Sequence, residues 1–212
     1  MIQEKDRKQI ITIFKALQNE VKIITFTQEF ECEFCRMTRE LVQEIKGLSE
    51  KISIEIYDFV KDAEIVKKYN IDKIPATVIL GERDYGIRFY GVPAGYEFTS
   101  LIEDIVDASR REPSLQKDVL AELAKVDQPV HIQVLTSPTC PYCALAVRTA
   151  HRFAMANDHI VSDMVELTEF PHLAVKYNVQ SFPKIVINED HFLPGLPTEI
   201  DFVHAILDAI GK

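Results

Sequence analysis

Val130-His131-Ile132-Gln133-Val134-Leu135-Thr136-Ser137-Pro138-Thr139-Cys140-Pro141-Tyr142-Cys143 starts as one kind of element and ends at the start of another. From Val130 to Thr136, Ile132 and Val134 recur with period two, the pattern of a strand with one face inside. The strand runs straight into Cys140-Pro141-Tyr142-Cys143, and a helical stretch follows to about Ala156. Pro141 suits the first helical turn, where its missing N–H leaves nothing unpaired. A cysteine at that point faces unpaired N–H groups and the positive end of the helix dipole. Both favour the thiolate, the form in which cysteine is a nucleophile or a ligand. Cys143, one turn on, can attack a mixed disulfide formed on Cys140.

The chain repeats this arrangement at a fixed offset of 108, which carries Cys32 to Cys140, Cys35 to Cys143, Lys68-Tyr69-Asn70 to Lys176-Tyr177-Asn178, and Pro75 to Pro183. Beyond that stretch the second copy is shorter, because Glu97-Phe98-Thr99-Ser100-Leu101 matches Glu199-Ile200-Asp201-Phe202-Val203 at an offset of 102. A repeat of this length divides the 212 residues into units of ordinary domain size. The seam is expected where a charged stretch meets Pro113 and a candidate N-cap, Ser114. The units are therefore 1–112 and 113–212, each expected to read α-β-α-β-α-β-β-α, with Tyr85 to Tyr90 as an edge strand.

Apolar residues at 47% and charged residues at 27% describe an ordinary globular chain rather than a disordered one. A net charge of −9 with no basic run argues against a nucleic-acid reader. The charged segment Met1-Ile2-Gln3-Glu4-Lys5-Asp6 lacks the apolar core of a secretory signal, and no apolar run approaches the ~20 residues of a membrane span. The expected location is the cytoplasm. Four cysteines in two C-x-x-C pairs in such a chain point to catalysis or metal binding before structural bridging. Zinc knuckles lie ~15–20 residues apart. More than a hundred residues separate these pairs, so no metal site is expected.

The copies differ in charge. Glu29, Glu31, Glu33 and Glu40 surround Cys32, against Arg36 and Arg39, whereas no Asp, Glu, Lys or Arg occurs from Gln128 through Val147. Like charges oppose thiolate formation. Cys140 is thus expected to be the more reactive thiol. Of the other polar residues, His151 is expected to be solvated or packed rather than catalytic, and Asp58 and Glu166 to be surface carboxylates.

A strand, a C-x-x-C at a helix start and a proline about 40 residues later resemble the thioredoxin fold. Cys140-Pro141-Tyr142-Cys143 resembles the glutaredoxin signature, and two such units in one chain resemble the tandem protein disulfide oxidoreductases of hyperthermophiles. The resemblance implies an α/β fold of two tandem thioredoxin/glutaredoxin-like units, each a central four-stranded mixed sheet flanked by helices. It implies redox roles for Cys32, Cys35, Cys140 and Cys143. It also implies cis Pro75 and Pro183, which with Ile74, Phe182, Pro141 and Tyr142 face the substrate.

Two family features are missing. Leu193-Pro194-Gly195-Leu196-Pro197-Thr198-Glu199 lacks the paired glycine of glutathione-using glutaredoxins, so glutathione dependence is not expected, nor is any organic cofactor. Phe26 and Val134 stand where thioredoxins carry a buried Asp, which leaves the proton-transfer group unassigned. The expected function is dithiol–disulfide exchange on protein disulfides, with a thioredoxin-reductase-like flavoprotein as electron donor. Two alternatives are an electron carrier between such a reductase and a peroxiredoxin, and a non-catalytic module that binds unfolded chains.

Overall fold

The computed structural model describes residues 2–212. The first unit contains α1 (Glu4–Phe14), β1 (Val21–Thr27), α2 (Cys35–Lys46), β2 (Ile52–Asp58), α3 (Ala63–Lys68), β3 (Ala76–Leu80), β4 (Asp84–Tyr90) and α4 (Glu97–Arg110). The second repeats the order with α5 (Lys117–Leu123), β5 (Val130–Thr136), α6 (Pro141–Ala156), β6 (Ile160–Glu166), α7 (Pro171–Lys176), β7 (Lys184–Ile187), β8 (His191–Pro194) and α8 (Glu199–Ala209).

The two four-stranded sheets join into one of eight strands, in the order β2-β1-β3-β4-β6-β5-β7-β8. The seam is a parallel pairing of β4 with β6, from Ile87 opposite Ser162 to Tyr90 opposite Val165. The segment expected at an edge is therefore central. Its alternation is two-sided, since Ile87 and Phe89 enter the core on one face and Tyr90 the core on the other. Both faces are covered there, so the strand is buried from Tyr85 to Tyr90.

Helices α1, α2, α4, α5, α6 and α8 share one core across both units, including Phe14, Ile45, Leu101, Phe153 and Phe202. The short helices α3 and α7 pack on the opposite face over Phe26, Val78, Leu135 and Val186. At the unit boundary the expected N-cap is displaced: Ser114 takes a left-handed φ of 50°, and α5 starts three residues later behind Gln116.

Strand polarity sets the functional geometry. β1 runs parallel to β2, β5 parallel to β6, and β4 parallel to β6, while β3 and β7 run against their neighbours. The carboxyl ends of β1 and β5, which lead into the two C-x-x-C motifs, therefore lie along the same edge of the sheet. They are four strands apart, about 19 Å at ~4.8 Å per strand. Direct sulfur–sulfur exchange between the pairs is ruled out in this arrangement.

Candidate redox site

Both pairs are closed as disulfides, Cys32 to Cys35 and Cys140 to Cys143, each with Cα atoms 5.4 Å apart. Cys35 and Cys143 are fully buried, whereas Cys32 and Cys140 are partly exposed. An incoming sulfur can therefore reach the first cysteine of each pair and not the second.

The two sites differ at the helix start. Cys140 is the N-cap of α6, Pro141 occupies the first turn, and the backbone N–H of Cys143 donates to Cys140 Sγ at 3.1 Å. A sulfur anion there meets an N–H donor and the helix dipole together. The first site departs from the expectation that Cys32 also stands at a helix N-terminus. Helix α2 begins only at Cys35 behind Phe34, and Cys32 lies in the preceding loop. Glu33 stands in the place of Pro141 and Glu31 takes a left-handed φ of 57°, so the helix start is not pre-set as far back as Cys32.

Charge widens the difference. Arg39 spends its guanidinium on Thr27 Oγ1 (3.1 Å), the Gln28 carbonyl and Glu29 (3.2 Å), and Arg36 on Glu40 (2.8 Å). Among the described residues, Glu31 and Glu33 form no ion pair, and so no cation offsets the carboxylates flanking Cys32. Phe30 and Val60 are exposed beside that motif, as Tyr142 and Phe182 are beside the other.

The Ile74-Pro75 and Phe182-Pro183 bonds are both cis, as the resemblance implied. Each proline carbonyl accepts an N–H from a glycine on the following strand or loop, Gly91 on Pro75 and Gly195 on Pro183, at 2.9 Å. Pro75 and Pro183 are buried, Ile74 is half-buried, and Phe182, Pro141 and Tyr142 are exposed.

Two carboxyl groups that a reading of one unit at a time misses lie on this same edge. Glu97, the first residue of α4, is buried against the second unit. Ser100 Oγ lies 3.0 Å from Glu97 Oε2 and 3.4 Å from the carbonyl of Ala144, the residue after Cys143. Tyr96 N–H reaches the Pro138 carbonyl, and Gly95, at φ 60°, comes so close that an added Cβ would lie 2.3 Å from that oxygen. The start of α4 is thus pressed onto the second redox loop. Burial pushes the Glu97 carboxyl up to about 7, opposed by the Ser100 hydroxyl and aided by repulsion from Asp104.

Glu169, in the second unit, reaches the other way and accepts the Val92 N–H on Oε1 at 2.7 Å. Burial, with the charges of Glu166 and Glu33, likewise pushes its carboxyl up to about 7 against the pull of that N–H. Repeat alignment held one usable signal, since Glu169 matches Lys61, a reversal of charge at equivalent positions. Nothing comparable flagged Glu97, whose burial depends on a unit it does not belong to.

The remaining polar candidates are structural. His151 is buried as packing, with Nδ1 2.6 Å from Asp104 Oδ2 and its ring edge-on to Phe89. Arg148, beside it on α6, donates to Asp104, Asp107 and Glu103 on α4. Asp58 is partly exposed and accepts the N–H groups of Val60 and Lys61. Glu166 differs from its expected surface position. It is buried because it caps its own turn, accepting from Thr168 and from the N–H of Glu169. Among the described residues, no three His, Cys, Asp or Glu side chains gather as a metal-holding group, and no helix is long and apolar enough to cross a membrane.

Residues 130–208 match the thioredoxin domain family. The chain is similar to the crystal structure of a protein disulfide oxidoreductase from Aeropyrum pernix, at 30% identity over 99% of this chain and 94% of that one, with a TM-score of 0.91. It also resembles a component of the alkylhydroperoxide reductase of Enterococcus faecalis, at 25% identity over 96% and 98% of the two chains, TM-score 0.89. Among curated proteins it is 27% identical over 160 residues to an NADH dehydrogenase of Bacillus subtilis, and 24% identical over 174 residues to an alkyl hydroperoxide reductase component of Staphylococcus aureus. Those alignments cover 74% and 82% of this chain, which spans only about a third of each relative, 29% and 31%.

Proposed function

The chain belongs to the tandem thioredoxin-fold protein disulfide oxidoreductases and is a thiol–disulfide oxidoreductase, and we propose that its two units, 1–112 and 113–212, divide that chemistry unequally. In this reading Cys140 is the principal nucleophile. Its thiolate attacks a client disulfide, one client sulfur leaves as thiolate, and a mixed disulfide forms. Cys143 then displaces the second client sulfur, the client leaves with two more electrons, and the Cys140–Cys143 disulfide closes. Read backwards, the same steps oxidise a client.

The observation that carries this assignment is the Cys143 N–H aimed at Cys140 Sγ at the start of α6, in a stretch free of charged carboxylates. Phe182, Pro183, Tyr142 and Pro141 form the surface that would receive the client segment, and Ile74 and Pro75 the equivalent surface of the first unit.

Before Cys143 can attack it must lose a proton in a buried place, and Glu97 supplies the missing acceptor. Its carboxyl titrates near neutrality and its Oε1 is buried with no other partner. A group so poised suits proton transfer in both directions of the reaction. Cys32 and Cys35 perform the same exchange more slowly. Electrons pass between the pairs only when an external dithiol carries them, because the sheet holds the motifs about 19 Å apart.

Similarity to the alkyl hydroperoxide reductase components supports a second reading, in which a flavoprotein reductase feeds this chain and a peroxiredoxin drains it. The test compares turnover with a thioredoxin-reductase-type flavoprotein and peroxiredoxin against refolding of a scrambled protein. Cys143→Ser, used in parallel, should trap client proteins as mixed disulfides. Equal trapping by Cys35→Ser would overturn the division of labour. Full activity in a variant with all four cysteines replaced by serine would overturn the redox reading itself.

A further inference from the structure

Helices α4 and α6 close the seam between the units on one face of the sheet. On the other face a cavity of about 380 Å³ lies over the pairing of β4 with β6, a volume typical of small-molecule sites. Both units build it, the first through Tyr69, Arg88 and Tyr90 and the second through His131, Val161 and Asp163. Strand alternation puts Arg88 and Asp163 there, since they stand opposite each other in the seam and share a face with Tyr90 and Val165. Val130 and His131 begin β5, whereas the Cys140 motif leaves its far end. Seven residues at ~3.3 Å each set the cavity roughly 20 Å from that motif.

The polar groups of the wall are unequally satisfied. Arg88 gives its two terminal nitrogens to Asp84 at 2.8 and 2.6 Å. Lys73, beside the wall, gives its ammonium to Asp72 at 2.6 Å and lies 3.6 Å above the Tyr90 ring. Each of these cations thus has its own carboxylate. Asp163 is 2% exposed, and its Oδ2 lies 2.6 Å from His131 Nε2. Its Oδ1 is buried with no hydrogen-bond partner. An acceptor left in that condition is unfavourable, most of all on an ionised group. With a neutral imidazole at His131, one negative charge in the wall has no matching cation. The unmet need is therefore for a positively charged donor, and an anion would meet Asp163 with like charge. Pro129, Val130 and Val161 make the rest of the wall apolar.

We propose that the seam cavity is a binding site for a small primary amine, its ammonium donating to Asp163 Oδ1 and its apolar body resting on Val130, Val161 and the tyrosine rings. Such an occupant touches both units at once and stands clear of both redox pairs. It binds only the joined fold, and so stabilises the union of the units by mass action.

His131 competes for the same carboxylate. Burial, the largest influence, opposes its charged form, but Asp163 and Glu189 outweigh burial and the repulsion of Lys73 and hold its proton above the ordinary 6.5. Arg88, Asp72, Tyr69, Tyr90 and His159 are the other ionisable groups of the wall. Of all these, the two histidines are the types that change charge between pH 6 and 8. Below its titration the His131 imidazolium already balances Asp163 and repels an ammonium; above it the charge is open. Amine affinity should therefore rise with pH.

The test is calorimetric titration of the full chain with phenylethylamine, alongside phenylethanol, which has the shape without the charge, and phenylethyltrimethylammonium, which has the charge without an N–H. The amine should saturate one site, and both analogues should bind about tenfold or more weakly. From pH 6 to 8 its affinity should rise about fivefold or more, and His131→Gln should flatten that rise while keeping the site. Asp163→Asn should weaken the amine about tenfold or more. Val161→Trp fills the cavity without touching a charge and should abolish binding. Both variants should keep the circular dichroism and disulfide-exchange turnover of the parent. Absence of saturation at millimolar amine, equal binding of the quaternary analogue, or binding that survives Asp163→Asn or Val161→Trp would overturn the proposal.

Discussion

Replacing Glu97 by Gln should make the oxidised protein more stable in alkaline buffer and slower in catalysis. Burial raises the Glu97 carboxyl from its ordinary 4.5 to about 7 in the folded chain. Between those values the folded state holds a proton that the unfolded state has released. Stability from this group is therefore complete below pH ~4.5 and is lost as pH rises through about 7. A difference of roughly 2.5 units at ~1.36 kcal/mol per unit amounts to about 3 kcal/mol above pH 8. Glu97 is 1% exposed, so solvent screening takes little from that figure. Gln mimics the protonated acid in shape, keeps an oxygen for Ser100 and never ionises. In urea unfolding the variant should match the parent near pH 4 and exceed it by about 2–3 kcal/mol at pH 8.5, which for a chain of this size is roughly 4–12 °C in Tm. Exchange through Cys140 and Cys143 should fall about a hundredfold or more, the usual loss when a proton-transfer group is removed. A stability difference that does not change with pH would refute the assignment of a neutral, buried carboxyl at this position.

Alkylation of Cys32→Ser and Cys140→Ser proteins, reduced and followed against pH, should show Cys140 reacting as a thiolate at lower pH than Cys32, and the reverse order would defeat the electrostatic argument. Gly95→Ala puts a methyl 2.3 Å from the Pro138 carbonyl at a left-handed φ, and should cost about 1–3 kcal/mol and slow the second pair several-fold in a disulfide-reduction assay while leaving the first pair unchanged. Arg148→Met strips the cation from buried Asp104 and Asp107, and should lower stability in urea by about 3–5 kcal/mol, part of which returns when Asp104→Asn is added.

What the sequence made legible was whatever one unit does alone. The strand into Cys140, the helix started by Pro141 and the prolines ahead of β3 and β7 follow from local spacing and stereochemistry, and the 108 offset doubled each signal. What stayed hidden was the seam. Asp84 to Tyr90 alternates as any strand does, and nothing within it says that β6 of the other unit will pair with it. Ser114 looked like a helix start because Leu115 and Val119 begin an apolar pattern, but the chain turns left-handed there and α5 begins at Lys117. The row Glu97, Ser100, Asp104 and Asp107 on α4 reads as a solvated face by polarity. Its burial follows only once α6 brings Ala144, Arg148 and His151 against it. Cys32 was misplaced for a different reason. The C-x-x-C spacing is the same in both units, but the residue after the first cysteine sets where the helix can begin, and Glu33 does not do what Pro141 does.

The order of the strands explains why the two redox sites cannot be equivalent. Pairing β4 with β6 joins the trailing edge of one repeat to the leading edge of the next, a head-to-tail step and not a two-fold one. In such an arrangement the last helix of a unit meets the redox loop of the unit that follows. For α4 this sets its first turn, with Glu97 and Ser100, against Pro138 and Ala144 on either side of the second pair. The equivalent residue of the second unit, Glu199, stands partly exposed at the start of α8 in an ion pair with Arg152. The first unit instead receives Glu169, from the loop after β6 across the seam, on its Val92 N–H. Two copies of one motif, related by translation along a sheet, thus acquire different surroundings from geometry alone.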